Sequence, residues 1–200
     1  MRWTTEQASE PDYDPVTLEE ARNHLRLTPE GSTLAHPDDD IVELYIKAAT
    51  SAAESFTQRV FAQRAFTLKA DAFSTRLQLP VFPIVSVEAV KYLDAAGDEQ
   101  TLESSQYLID TSVIPAVIEI DNPPTAKHQR NAIRIEVVAG YPSNNSPADA
   151  DLIPRAIKQA ILMTVGHFYE NRETVVVGAT TSKVPMAFEA LLWPHRVLGL

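Results

Sequence analysis

The spacing of apolar residues along the chain changes twice: helix-like at first, alternating in the middle, and helix-like again towards the end. Thr17-Leu18-Glu19-Glu20 has the form of a capping box, in which the Thr17 oxygen accepts a backbone N–H three residues on and Glu20 reaches back. Leu18, Ala21, Leu25 and Leu27 then supply one stripe of a short helix that stops before Pro29. Thr28–Pro37 reads as a loop. A second, longer helix starts at Asp38-Asp39-Asp40 and is expected to bury Ile41, Leu44, Tyr45, Ala48, Ala49, Ala52 and Phe56.

From Arg64 the pattern alternates, with Phe66, Leu68 and Ala70 facing one way and Thr67, Lys69 and Asp71 the other. Further strands are predicted at Leu77–Leu79, Ile84–Leu93, Gln100–Leu102, Gln106–Asp110, Ala116–Asp121 and Ala132–Val138. Ala95-Ala96-Gly97-Asp98 forms the turn of a hairpin, and prolines punctuate the set as sheet edges and loops require. After the loop Gly140–Pro147 the helical period returns. Asp149 or Asp151 is expected to cap the longest helix, with Pro154 in its first turn. Ile157, Ala160, Ile161, Thr164, Val165 and Phe168 form its buried face. Thr174–Val184 reads as a flexible loop, and Met186–Leu192 as a last short helix stopped by Trp193-Pro194.

The fold class predicted is therefore α+β: a helical bundle of about four helices carrying an inserted antiparallel β-sheet or small barrel. Residues 16–62 and 148–200 make the helical body and residues 63–147 the β insertion. Residues 1–15, polar and without periodicity, are expected to be a loose acidic arm.

Charge narrows the function. Seventeen Lys and Arg against twenty-seven Asp and Glu give a net charge of −10, a poor balance for gripping a phosphate backbone. Cysteine is absent, which excludes disulfides, thiolate nucleophiles and Cys-based zinc sites. Met1–Glu6 has no apolar signal-peptide core, and the longest strongly apolar stretch, Ala160–Val165, is too short to cross a bilayer. The expectation is a soluble, intracellular protein.

Candidate chemistry is sparse. No two of the five histidines are spaced at i, i+3 or i, i+4, and His167 with Glu170 reverses the order of a di-iron motif. The six glycines form no phosphate cradle, and there is no G-x-S-x-G elbow. The three aspartates at 38–40 are assigned to capping and to the helix dipole before any metal. No catalytic, metal or cofactor site is predicted. An enzymatic or small-ligand reading would need a pocket lined by residues such as His128, Arg134 and Glu136.

Other residues suit contact. Tyr169 and Arg172 close the long helix, either as a half-buried cap and a dipole-compensating cation or as part of an interface, where aromatic and Arg side chains concentrate binding energy. Val175, Val176 and Val177 are apolar and β-branched in a predicted loop, which suggests docking onto a partner.

Four blocks of sequence, in this order and spacing, resemble the tailed-phage head–tail connector (adaptor) family in the longer form that carries a β insertion. They are Val16–Leu27; Asp39-Asp40-Ile41 through Ala48-Ala49 to Glu54-Ser55-Phe56-Thr57; Val138-Ala139-Gly140-Tyr141; and Ile153–Leu162 running on to His167–Glu173. Val184-Pro185 and Leu191–Arg196 match the family's habitual ending, so the resemblance spans residues 16–196. It implies a structural virion protein assembled in the host cytoplasm and placed at the head–tail junction. Such a protein is a homo-oligomeric ring, typically twelve-fold, beneath the portal protein. It extends a channel through which genomic DNA passes without specific binding, and offers a platform to the next neck or tail protein. It needs no catalysis, cofactor or membrane. Within this reading Trp193 and Arg196, in the C-terminal segment, join Tyr169, Arg172 and Val175–Val177 as interface candidates. A different neck component, a stopper or tail-completion protein, is the alternative.

Overall fold

The computed structural model describes residues 2–27, 35–142, 153–172 and 186–197. The protein is α+β, with four α-helices and two antiparallel sheets among the described residues. The chain divides into two compact units. One comprises residues 1–13, 62–143 and 198–200; the other comprises residues 14–61 and 144–197.

Among the described residues the first unit holds eight strands. β1 (Trp3–Gln7), β2 (Arg64–Ala70), β4 (Ile84–Leu93), β5 (Glu99–Leu102) and β8 (Ile133–Ala139) form a five-stranded sheet in the order β1-β2-β8-β4-β5. β3 (Arg76–Gln78), β6 (Tyr107–Asp110) and β7 (Val117–Ile120) form a three-stranded sheet in the order β3-β7-β6. The expected single sheet or barrel is thus two sheets, because strands β3, β6 and β7 pair only with one another. Alternation sets the faces: Phe66, Leu68, Ala70, Ile133, Ile135 and Val137 are buried in the larger sheet, Leu77, Ile118 and Ile120 in the smaller. On the polar face of the larger sheet, the register sets Lys69 beside Arg134 and Arg134 beside Lys91. Like charges in adjacent strands repel, and each cation is matched by a carboxylate: Lys69 by Glu6, Arg134 by Glu99 at 2.9 Å and Lys91 by Glu136 at 2.6 Å.

The loose arm expected over residues 1–15 is corrected. Residues 3–7 are the edge strand β1, paired antiparallel with β2 from Trp3↔Ala70 to Gln7↔Phe66. The strand is mostly exposed, so it lacks the alternating apolar residues by which a strand is recognised. Its stabilisation comes from main-chain pairing and the Lys69–Glu6 contact. Beyond it, the Tyr13 hydroxyl donates to the Tyr141 carbonyl at 2.9 Å. Burial, with Asp12 adding to it, pushes that phenol up to about 12. Gly140 closes this junction at φ +113°, where an added Cβ would stand 2.6 Å from the Ala62 carbonyl oxygen.

The second unit is helical. α1 (Leu18–Leu25) begins at the capping box read in the sequence: Glu20 N–H donates to Thr17 Oγ1 at 3.1 Å, and Thr17 N–H to Glu20 Oε2 at 2.8 Å. α2 (Asp39–Thr57) packs against α3 (Arg155–Glu170), α1 contacts both, and α4 (Met186–Leu192) contacts α3 and α2. Pro154 is the residue before α3 rather than in its first turn. Asp149 and Asp151 lie outside the described residues. Ile157, Ala160, Ile161, Thr164 and Val165 are buried as expected, but Phe168 is only half-buried.

The buried stripe of α2 is Val42, Ile46, Ala49, Ala53 and Thr57; of the residues expected to be buried, only Ala49 lies on it. Leu44 is 58% exposed, and Ala48 and Ala52 are exposed. Alanines at 48, 49, 52 and 53 fit two stripes roughly 100° apart, and the pair of β-branched residues Val42 and Ile46 decides between them. Thr57 completes the stripe by donating to the Ala53 carbonyl at 2.8 Å, which satisfies its buried hydroxyl within the helix.

Candidate interface sites on the helical unit

Two clusters flank α2, one at each end. At its start, Asp38 occupies the cap position but makes no capping hydrogen bond. Its carboxylate instead accepts from the Tyr169 hydroxyl at 2.6 Å and from Arg172 at 2.9 Å. The Arg172 guanidinium lies 4.8 Å from the Tyr169 ring centroid, so the three side chains form a closed set. Asp39, next in sequence, is gripped through both oxygens by Arg22 of α1 and also accepts the His36 N–H at 2.8 Å. The Asp38 N–H donates to His36 Nδ1 at 3.1 Å, which fixes that nitrogen as an unprotonated acceptor. The aspartates therefore tie the start of α2 to α1 and to the end of α3. This corrects the capping assignment for Asp38: a carboxylate with a phenol and a guanidinium within reach makes charge-assisted bonds to them.

Electrostatics follow the geometry. The Tyr169 hydroxyl first, then Arg172, holds Asp38 below its ordinary value of 3.8. The Arg22 fork does the same for Asp39. Reciprocally, Asp38 raises both Tyr169 and Arg172, and Asp39 raises Arg22.

At the other end, Phe56 meets Phe188 of α4 edge-on at 5.8 Å between centroids and Trp193 at 6.4 Å. Trp193 begins a 3₁₀ turn, Trp193–His195, directly after α4. Arg196 lies 5.5 Å from both the Phe56 and the Trp193 rings. The Arg59 side chain donates to the His195 carbonyl at 2.6 Å, and Val197 N–H to the Thr57 carbonyl at 2.9 Å, so the segment after α4 is latched to the end of α2. Burial first, then the Arg59 charge, lowers the His195 imidazole. Trp193 nevertheless remains 57% exposed, and among the described residues no carboxylate pairs with Arg196. A large aromatic ring and a guanidinium stacked on it thus both face solvent.

Of the predicted interface residues, the structure joins Tyr169 to Arg172 and Trp193 to Arg196, as two separate sites. Val175, Val176 and Val177 lie outside the described residues. The sequence reading missed Asp38, Asp39 and Arg22 as partners; the aspartates were visible, but nothing local marks a contact across 131 residues. Of the residues of the enzymatic reading, Glu136 pairs with Lys91 and Arg134 with Glu99, while His128 is exposed in the β7–β8 loop. Among the described residues no three His, Asp or Glu side chains are grouped to hold a metal ion. No helix among them is long and apolar enough to cross a membrane.

No protein-family model matches this chain, and no curated protein sequence does. Solved structures do. The chain is similar to one in the neck of an empty gene transfer agent particle computed with C6 symmetry, at 24% identity and a TM-score of 0.72, covering 98% of this chain and 97% of that one. It is similar to one in the virion of a native gene transfer agent particle, at 22% identity and a TM-score of 0.74, covering 98% and 96%. It also matches one in the neck of the native particle computed with C12 symmetry, at 20% identity and a TM-score of 0.72, covering 98% and 97%. The likeness runs through both units and establishes the fold.

Proposed function

We propose that this chain is a structural component of the neck of a tailed-phage-like particle. It is an adaptor whose copies form a ring under the portal, extend the DNA channel and present a platform to the next neck or tail protein. The observation that carries the reading is the shared fold over 98% of the chain with proteins found in the neck of gene transfer agent particles. The order of the four sequence blocks supports it independently. So does the net charge of −10, since every phosphate contact retained in a channel would slow the passage of DNA. The role is mechanical: the residues singled out by geometry are arranged for contact, and no reaction or cofactor is invoked.

In this reading the helical unit supplies the docking surfaces. Trp193 and Arg196 form one of them. Val175–Val177 form a second, and deleting them leaves both units folded but abolishes assembly. Tyr169 and Arg172 hold the start of α2 to the end of α3 through Asp38.

The test is negative-stain imaging of the purified chain mixed with its cognate portal ring. An added ring at the narrow end of the portal is expected. A ring that instead decorates only the tail-proximal face of another neck protein would make this chain a stopper. Absence of binding to any portal or neck protein overturns the proposal.

A further inference from the structure

Half of the six exposed large apolar side chains of the described residues lie on one hairpin of the β unit: Leu108, Val113 and Ile114, with Ile114 52% exposed. Strand β6 is an edge strand, hydrogen-bonded to β7 on one side only. From Glu103 to Ile114 no residue is buried. That stretch holds two carboxylates, Glu103 and Asp110, and no cation. The tip is set in shape before any contact: Asp110 Oδ1 accepts from Ser112 N–H at 2.9 Å and from Ser112 Oγ at 2.6 Å. Edge strands with exposed apolar residues are contacts unless something blunts them.

A complementary surface exists on the same unit. The loop between β7 and β8, residues 121–132, contains Pro123, Pro124, Lys127, His128 and Arg130, and its one acidic residue, Asp121, stands at its start, six residues before Lys127. Lys127 N–H donates to the Leu93 carbonyl at 2.8 Å and Asn131 N–H to Asp71 Oδ1 at 2.9 Å, so both ends of the basic stretch are pinned. Residues 128–131 are exposed, and no described carboxylate pairs with Arg130, whereas the three cations of the sheet face are all paired. The β6–β7 turn stands at the N-terminal end of β7, and the basic loop leaves its C-terminal end. One surface is apolar and acidic, the other prolyl and basic, and they sit at opposite ends of one strand. A head-to-tail ring needs two such unlike surfaces on each copy.

We infer that the β6–β7 hairpin docks on the 121–132 loop of a second copy of this chain, making the β unit part of the seam between ring subunits. The inference rests on the proposed ring. Asp110 faces the partner's Lys127–Arg130 stretch, and Val113 and Ile114 lie against its Pro123-Pro124.

The absence of cysteine makes the test clean. Val113→Cys and Arg130→Cys variants are prepared separately, mixed, assembled on portal rings and treated with a short bismaleimide. A covalent dimer in the mixture, and none in either variant alone, is the expected result. Rings that form without the mixed cross-link overturn this inference and leave the ring itself standing, whereas no ring at all overturns both. Cross-linking of Val113→Cys with itself shows a two-fold contact and also overturns it. As a second measurement, Asp110→Arg and Arg130→Asp each reduce ring yield at least tenfold, and mixing the two variants in equal amounts restores ring yield, because every seam between unlike variants regains an opposite-charge pair. Equal loss in the mixture contradicts the pairing.

Discussion

Asp38 carries two bonds that join elements far apart in sequence. Its carboxylate and that of Asp39 are both held below 3.8 in the folded chain. A carboxylate with a depressed folded value binds fewer protons than it does unfolded, so its stabilisation is present above 3.8 and is lost as pH falls below it. Thermal unfolding followed by circular dichroism should therefore show the melting temperature dropping steeply as the medium is acidified through that value. Asp38→Asn should flatten the drop and lower the melting temperature at neutral pH. An unchanged acid profile in both Asp38→Asn and Asp39→Asn would show that neither clasp contributes to stability.

At the level of elements, side-chain period and caps were legible wherever a segment is long or one face is apolar. The capping box at Thr17, the span of β4 and the extent of α4 follow from local patterning. Three features did not, each for a physical reason. An exposed edge strand such as β1 has no buried alternation to detect. An alanine-rich helix such as α2 leaves its rotation open until larger neighbours choose a stripe. The division of eight strands into two sheets depends on long-range pairing that no local period encodes. The burial pattern of α3 gives a quantitative check. Ile161 is fully buried, and Ile161→Ala should cost about 2–5 kcal/mol by chemical denaturation. Phe168, half-buried and tilted against Tyr45 at 5.9 Å, should cost less on truncation than the roughly 3–5 kcal/mol of a fully buried ring. Equal or larger loss at Phe168 would contradict the burial assigned to it.

For the whole molecule, the order of helices and strands conveyed the class and four blocks of residues the resemblance to connectors, but neither says which surfaces meet. Trp193 and Arg196 looked like interface residues from their types alone; the structure adds that they belong to one cluster with Phe56 and Phe188. Trp193→Ala should leave the melting temperature nearly unchanged because the ring is largely exposed, yet weaken docking on portal or neck partners at least tenfold, the behaviour of an interface anchor. Loss of folding instead of docking would make Trp193 a packing residue.

The most direct measurement is quantitative mass spectrometry of purified particles from a host producing this chain, with the portal protein as internal standard. The account predicts this polypeptide in mature particles at a fixed small copy number, set by the rotational order of one ring. Its absence from mature particles, or a copy number that varies between preparations, would contradict the account.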